Sequence, residues 1–309
     1  MGIGIVMQIL SAVFVAFCAF YAPSYAQEEA FPLEPVTLVD GQFRSSEGIS
    51  FNGEGKLFIT ANRALWNVSV EGKVEKIADL YSNLGLAPIG ERDLLVADFG
   101  PTNIFRHGEN NDGIIWRITP EGEKTVVATG IPDPNFILLF KDGSYLVSDD
   151  GKNEIFQVSA DGSVKLFCDS IYHPNGMVLS LDGKYLFIAQ IFQRIKPIVP
   201  DNRLWRIPMS GNRIDGKPEL FAAPGKGGHD GLAMDSLGRI YVASNGEGII
   251  WRVDPTNKEV VEIANNMPGT GSLAFGEGEF DHNTIFSTST RTGKVWKVKI
   301  GINGAPMQR

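Results

Sequence analysis

The chain has 309 residues and a net charge of −8, with an apolar share of 43% that is ordinary for a soluble globular protein. That length is ample for a buried core, and the acidic balance argues against nucleic acid or an anionic membrane surface as a partner. Abundant glycine (35) beside moderate proline (17) fits many short strands joined by tight turns.

The first two dozen residues differ from all that follow. Ile3 to Tyr21 is nearly all apolar, and Ser24-Tyr25-Ala26 offers small residues at the −3 and −1 positions of a secretory cleavage site. Residues 1–26 are therefore read as a secretory signal peptide, which places residues 27–309 in the periplasm or outside the cell. No Lys or Arg precedes Arg44, so the usual basic start is missing and a retained membrane anchor stays open as the alternative. Phe17 before Cys18 does not suit a lipoprotein site. With Cys18 removed, Cys168 is the sole thiol and no intramolecular disulfide can form.

After a strand expected over Pro35–Val39, six short cassettes recur: Glu47-Gly48-Ile49, Leu84-Gly85-Leu86, Asn135-Phe136-Ile137, Asn175-Gly176-Met177, Asp230-Gly231-Leu232 and Gly271-Ser272-Leu273. Each begins an apolar strand. Second strands are expected over Lys56–Ala61, Asp93–Asp98, Ser144–Asp149, Lys184–Ala189, Arg239–Ser244 and Asn283–Ser289. Third strands carry apolar or aromatic pairs such as Leu65-Trp66, Ile115-Trp116 and Leu204-Trp205, and fourth strands include Lys124–Thr129 and Val260–Ala264. Six four-stranded units at a period of about 45 residues predict an all-β fold, a six-bladed β-propeller. The last unit ends after its third strand near Ile300, so the N-terminal strand is expected to close the sixth blade and remove two open edges.

In a ring, the equivalent first residues of the cassettes converge on one axis. Glu47, Asn135, Asn175 and Asp230 then present oxygen donors only, a set suited to Ca²⁺ or Mg²⁺, with Zn²⁺ and Mn²⁺ left open. The bland alternative is that Asn-Gly and Asp-Gly are turn pairs. Antiparallel pairing puts the loops between second and third strands on the same face, including two long ones, Phe99–Gly113 and Ile191–Asn202, as pocket walls. Asp98 and Asp149 end second strands there and can line the pocket, orient a ligand amide or cap a turn; Asp150 is read as a turn cap. His173 reaches the pocket, and with Asn135 and Asp149 it is a candidate substrate contact. Strand alternation turns His229 away from the axis. No Gly-x-Ser-x-Gly elbow occurs.

The run Glu47-Gly48, His173-Pro174-Asn175-Gly176, Ser180-Leu181-Asp182-Gly183-Lys184-Tyr185-Leu186 and Asp230-Gly231-Leu232-Ala233-Met234-Asp235 resembles the regucalcin (senescence marker protein 30), gluconolactonase and luciferin-regenerating family. The resemblance implies a six-bladed propeller with an axial divalent ion held by Glu47, Asn175 and Asp230, Asn135 taking the place of a further asparagine, and a lactone substrate. Asp133 stands where many sugar-lactonase members have arginine, and Ile49 where proline commonly follows Glu-Gly. The expected function is a metal-dependent lactonase or related ester hydrolase acting on a small molecule, with Asp230 as proton acceptor. The alternatives are a non-catalytic propeller that binds a ligand or protein partner around a structural cation, and a lyase or synthase of the strictosidine-synthase-like group.

Overall fold

Six antiparallel sheets follow one another along the chain in the computed structural model, which describes Met1, residues 31–102 and residues 111–307. The expected signal segment, apart from Met1, and the middle of the Phe99–Gly113 loop lie outside the described residues. No helix occurs among the described residues.

Blade one comprises Ser46–Phe51, Leu57–Ala61, Ala64–Val68 and Val74–Asp79, paired in that order. Blades two, three and five repeat the meander over 86–129, 134–168 and 229–264. Blade four is elaborated: its second strand, Tyr185–Gln190, is followed by a separate hairpin, Phe192–Ile195 with Ile198–Pro200, before Leu204–Ser210 returns to the sheet. The long loop expected at 191–202 thus carries strands of its own. Blade six has Thr270–Phe275, Thr284–Ser289 and Val295–Lys299, and its outer strand is Val36–Val39 from the start of the described chain. Val36 pairs with Lys297 and Val39 with Val295, so the ring closes as the sequence predicts. The six blades form a β-propeller.

The core lies between neighbouring blades. Leu95, Ala97 and Ile115 of blade two pack on Ile137, Val147 and Val158 of blade three. Phe187 and Leu204 of blade four meet Val242 and Val253 of blade five. Across the closure, Ile59 and Val68 cluster with Phe286 and Val295. A sheet buried on both faces needs apolar residues at consecutive positions, which is why Leu57-Phe58-Ile59 and Leu94-Leu95-Val96 are wholly buried. Third-strand tryptophans tie strand ends as well as filling space: the indole N–H of Trp66 donates to the Ala61 carbonyl (2.8 Å), that of Trp116 to Asp98 (3.1 Å) and that of Trp205 to Gln190 (2.8 Å).

Candidate functional site

The cassettes are a repeated β-bulge. Pairing between first and second strands slips between Ser46 and Ile49, Pro134 and Ile137, Pro174 and Met177, His229 and Leu232, and Thr270 and Leu273. In each case the slip encloses the first two cassette residues. A bulge bends its strand and re-aims one side chain, so the same irregularity in five blades gives five first residues a common direction. The glycines are there for space. A Cβ on Gly48 would overlap the Leu84 carbonyl oxygen, and one on Gly176 the carbonyl oxygen of Asp230; on Gly85 it would lie 2.5 Å from the Asn135 carbonyl oxygen. None of these three has a positive φ. The Asn-Gly and Asp-Gly pairs are therefore points of backbone contact between blades, which replaces the turn reading.

Hydroxyls of the second strands satisfy the backbone that the bulge frees. The Gly48 N–H donates to Thr60 Oγ1 (2.9 Å), which donates to the Leu84 carbonyl (2.7 Å). The Ser272 N–H donates to Thr288 Oγ1 (3.0 Å), whose hydroxyl donates to the Glu47 carbonyl. Glu47 is thereby fixed through its backbone to the preceding blade.

The side chains make a buried acidic cluster without a counter-charge among the described residues. Burial raises the Glu47 carboxyl well above its ordinary range, and the Asp230 and Asp150 carboxylates push it further, against the Asn135 amide. Asp230 is pushed up to about 7 by burial, partly offset by Asn245. Asp150 is raised well above the carboxylate range by burial and then by Asp149, with smaller pushes from Asp133 and Asp230. Among the described residues no lysine or arginine figures in the shifts of these three. Asn175 is buried with neither amide atom partnered, and Asp230 Oδ1 and Asp150 Oδ1 are likewise buried without a hydrogen bond. Unpaired buried acceptors of this kind are costly unless something else satisfies them. Among the described residues no three His, Cys, Asp or Glu side chains converge as a metal cage. A cation would therefore draw on the Asn175 carbonyl oxygen beside Glu47 and Asp230, and the all-oxygen donor set fits a hard ion.

The other expected residues are distributed unevenly. Asn135 donates from Nδ2 to Asp150 Oδ2 (2.9 Å), which leaves its carbonyl oxygen as an acceptor. The roles read for the two adjacent aspartates are reversed. Asp149 turns to the loop, accepting the N–H groups of Asp133 (3.1 Å) and Gly151 (3.0 Å), and burial pushes it up to about 6. Asp150, read as a turn cap, is the one that joins Asn135 and acts on Glu47. Asp98 is a cap, taking the Tyr81 N–H (2.9 Å), the Ser82 hydroxyl (2.8 Å) and the Trp116 indole. His173, held at φ 45°, donates from Nδ1 to the Asp150 carbonyl (2.7 Å) and meets Phe192 edge-on at 6.1 Å. It thus links the axial cluster to the blade-four hairpin. His229 is buried, and burial lowers its pKa to about 4 despite the Glu247 carboxylate, the Pro224 backbone, the Asp201 carboxylate and the Asn202 backbone nearby. Those neighbours are not the axial acids, in keeping with a ring turned from the axis.

Asn245 and Thr290 were not legible as site residues. Asn245 Nδ2 donates to Asp230 Oδ2 (3.0 Å) and Thr290 Oγ1 (2.9 Å). With Asp150 they form a second set: each stands one residue past the end of a second strand. Aligning that position across the six units would have found them. A cavity of about 670 Å³ lies elsewhere, farther along the inner strands, lined by Ile49, Leu86, Met177, Leu232 and Leu273 and by Met307 near the chain end. None of the axial acids lines it, so this apolar space is separate from the polar chemistry.

These features define a class: a six-bladed propeller with an oxygen-rich site where its inner strands begin. Residues 142–291, which include Asn175 and Asp230 but not Glu47 or Asn135, match the SMP-30/Gluconolactonase/LRE-like region, the family that the motifs resemble. A protein of Sulfolobus acidocaldarius described as uncharacterized is 28% identical over 156 residues, covering 48% of this chain and 54% of that one; the match spans about half the length of the relative. The fold is similar to that of the calcium-binding protein regucalcin from Agrobacterium tumefaciens, with a TM-score of 0.70 and 21% identity over 90% of this chain and 98% of the other. It is also similar to a gluconolactonase from Xanthomonas campestris, with a TM-score of 0.67 and 18% identity over 87% and 89% of the two chains. At these identities the structural likeness concerns the fold.

Proposed function

We propose that the protein is a divalent-cation-dependent hydrolase that opens a lactone ring at the axial site. The observation that carries this reading is the set of buried, unpartnered oxygens on Asn175 and Asp230 near Glu47, in a cluster of carboxylates that no cationic side chain among the described residues offsets. Glu47, Asn175 and Asp230 would hold the ion, with the Asn135 carbonyl oxygen and water completing the set. Ca²⁺ suits such an irregular, oxygen-only arrangement best. The match of residues 142–291 and the fold of the Xanthomonas gluconolactonase support a lactone as the substrate class.

A hard divalent cation in this site supplies the charge that polarises an ester carbonyl and favours the developing oxyanion. The protein's own residues do the rest. Asp230 Oδ2 is held by Asn245, so Oδ1 is the oxygen that would both hold the ion and, through its remaining lone pair, take a proton from the attacking water. The water oxygen bonds to the carbonyl carbon, the ring C–O bond breaks, and the proton passes to the leaving alkoxide. Lactone and water thus give a hydroxy acid. Glu47 keeps the site anionic, and Asn135 steadies Asp150. His173, pinned through Nδ1, offers its remaining edge beside Phe192 as a substrate contact. Asp149 serves the substrate indirectly, by holding the loop that carries Asp150.

Initial rates on a panel of five- and six-membered lactones, followed by proton release, test this reading. Hydrolysis is expected to stop on chelation and to return with Ca²⁺ more fully than with Mg²⁺, Zn²⁺ or Mn²⁺. A rate indifferent to chelation would refute the role of the ion. No hydrolysis across the panel would favour a binding propeller with a structural cation. The reading also places the protein outside the cytoplasm: the exported form is expected to start near Gln27, and N-terminal sequencing that finds residues 1–26 retained would instead make it membrane-anchored.

A further inference from the structure

The unpartnered oxygen of Asp230 exists because something occupies its other oxygen. Asn245, one residue past the second strand of blade five, donates from Nδ2 to Asp230 Oδ2 at 3.0 Å. The same amide nitrogen donates to Thr290 Oγ1 at 2.9 Å, with the Gly269 carbonyl a distant third acceptor at 3.5 Å. Thr290 belongs to the next blade, one residue past its second strand, and its own hydroxyl proton is directed to the Gly269 carbonyl (3.3 Å). The Asn245 backbone is anchored too, its N–H donating to the Gly228 carbonyl (2.7 Å).

With Asp230 ionised, these bonds run in one direction only. Because Thr290 gives its proton to Gly269, its oxygen must accept, so Asn245 has to present its NH₂ side. A flipped amide would set its carbonyl oxygen against both the Thr290 oxygen and the Asp230 carboxylate, with no proton between them. Thr290 therefore sets the amide, and the amide sets the carboxylate.

We infer that Asn245, with its orientation fixed by Thr290, is the positioning residue that aims Asp230 Oδ1 into the axial site. The inference rests on the proposed cation site and adds the device that orients one of its ligands. It spans the joint between blades five and six, so a ligand on one blade is tuned from the other. Partners that orient a metal ligand typically affect metal affinity about 10–100-fold when removed.

Calcium titration of chelated full-length protein by calorimetry tests this, with circular dichroism to verify the fold of each variant. Asn245→Leu is expected to weaken Ca²⁺ binding about 10–100-fold with the β-sheet spectrum unchanged. Thr290→Val touches no ligand and is expected to weaken binding in the same direction, whereas Thr290→Ser, which keeps the hydroxyl, should bind as the wild type does. If Asn245→Leu does not fold, the Thr290 pair decides. Wild-type affinity in Asn245→Leu or Thr290→Val, or equal losses in Thr290→Val and Thr290→Ser, would overturn the inference while leaving the cation site standing. Failure of the wild type itself to bind Ca²⁺ would overturn both.

Discussion

Replacing Asp230 with asparagine should change how stability depends on pH, and the size of the change follows from the site. Asp230 titrates near 7 in the folded protein, against about 4 for an unfolded aspartate. The folded state holds the proton more tightly, so this group favours folding at low pH, and that contribution is lost as pH rises from about 4 through about 7. Between about pH 5 and about pH 8 the effective change is about two pH units, or about 3 kcal/mol at about 1.4 kcal/mol per unit. Glu47 and Asp150 are shifted in the same direction and steepen the slope. Urea unfolding of chelated protein, followed by tryptophan fluorescence at the two pH values, measures this. The wild type is expected to lose about 3 kcal/mol more than Asp230→Asn over that interval. Ca²⁺ at about 100 times its dissociation constant should return about 3 kcal/mol to the wild type at the higher pH and much less at the lower, where protons compete for the same oxygens. Equal pH slopes in the two proteins, or equal stabilisation of both by Ca²⁺, would refute the reasoning.

Three further outcomes follow from the architecture. Gly176→Ala places a Cβ over the Asp230 carbonyl oxygen and 2.6 Å from the Leu232 nitrogen, so urea unfolding should show a loss of about 1–3 kcal/mol; unchanged stability would mean the inner strands are not in contact there. Asp235→Ala strips partners from Arg239 (2.6 Å) and the Tyr241 hydroxyl (3.1 Å) and leaves a largely buried guanidinium, at an expected cost of about 3–5 kcal/mol by the same assay. A chain starting after Asp40 lacks the outer strand of blade six and exposes the edge of Val295–Lys299; light scattering should report association, and a monomer with the full-length unfolding midpoint would contradict the closure.

Much of the fold was legible because a propeller repeats its signals. Asp93–Asp98, Lys124–Thr129 and Val260–Ala264 were expected as strands with the bounds they have. The closing strand followed from a three-stranded last unit. The candidate site was suggested where polarity recurred in register, as at Glu47, Asn135, Asn175 and Asp230. It was not legible where register itself decides direction. A bulge shifts facing by one residue, so alternation cannot say which of Asp149 and Asp150 meets the axis, and only the pairing of Pro134 with Asp149 and the slip after it settle that. Asn245 and Thr290 carry no local motif at all. Their meaning comes from lying beside Asp230 across a blade boundary. The hairpin inside 191–202 was hidden by its short strands, four and three residues long.

The proposed function rests on one hard cation held by Glu47, Asn175 and Asp230. The most direct measurement titrates Ca²⁺ into chelated protein while following bound metal and lactone hydrolysis in the same sample, for the wild type and for Asp230→Ala. In the wild type the rate is expected to rise in proportion to the first equivalent of bound ion, and Asp230→Ala is expected to show neither tight binding nor turnover. Hydrolysis that is complete before any ion binds, or that survives in Asp230→Ala, would contradict it.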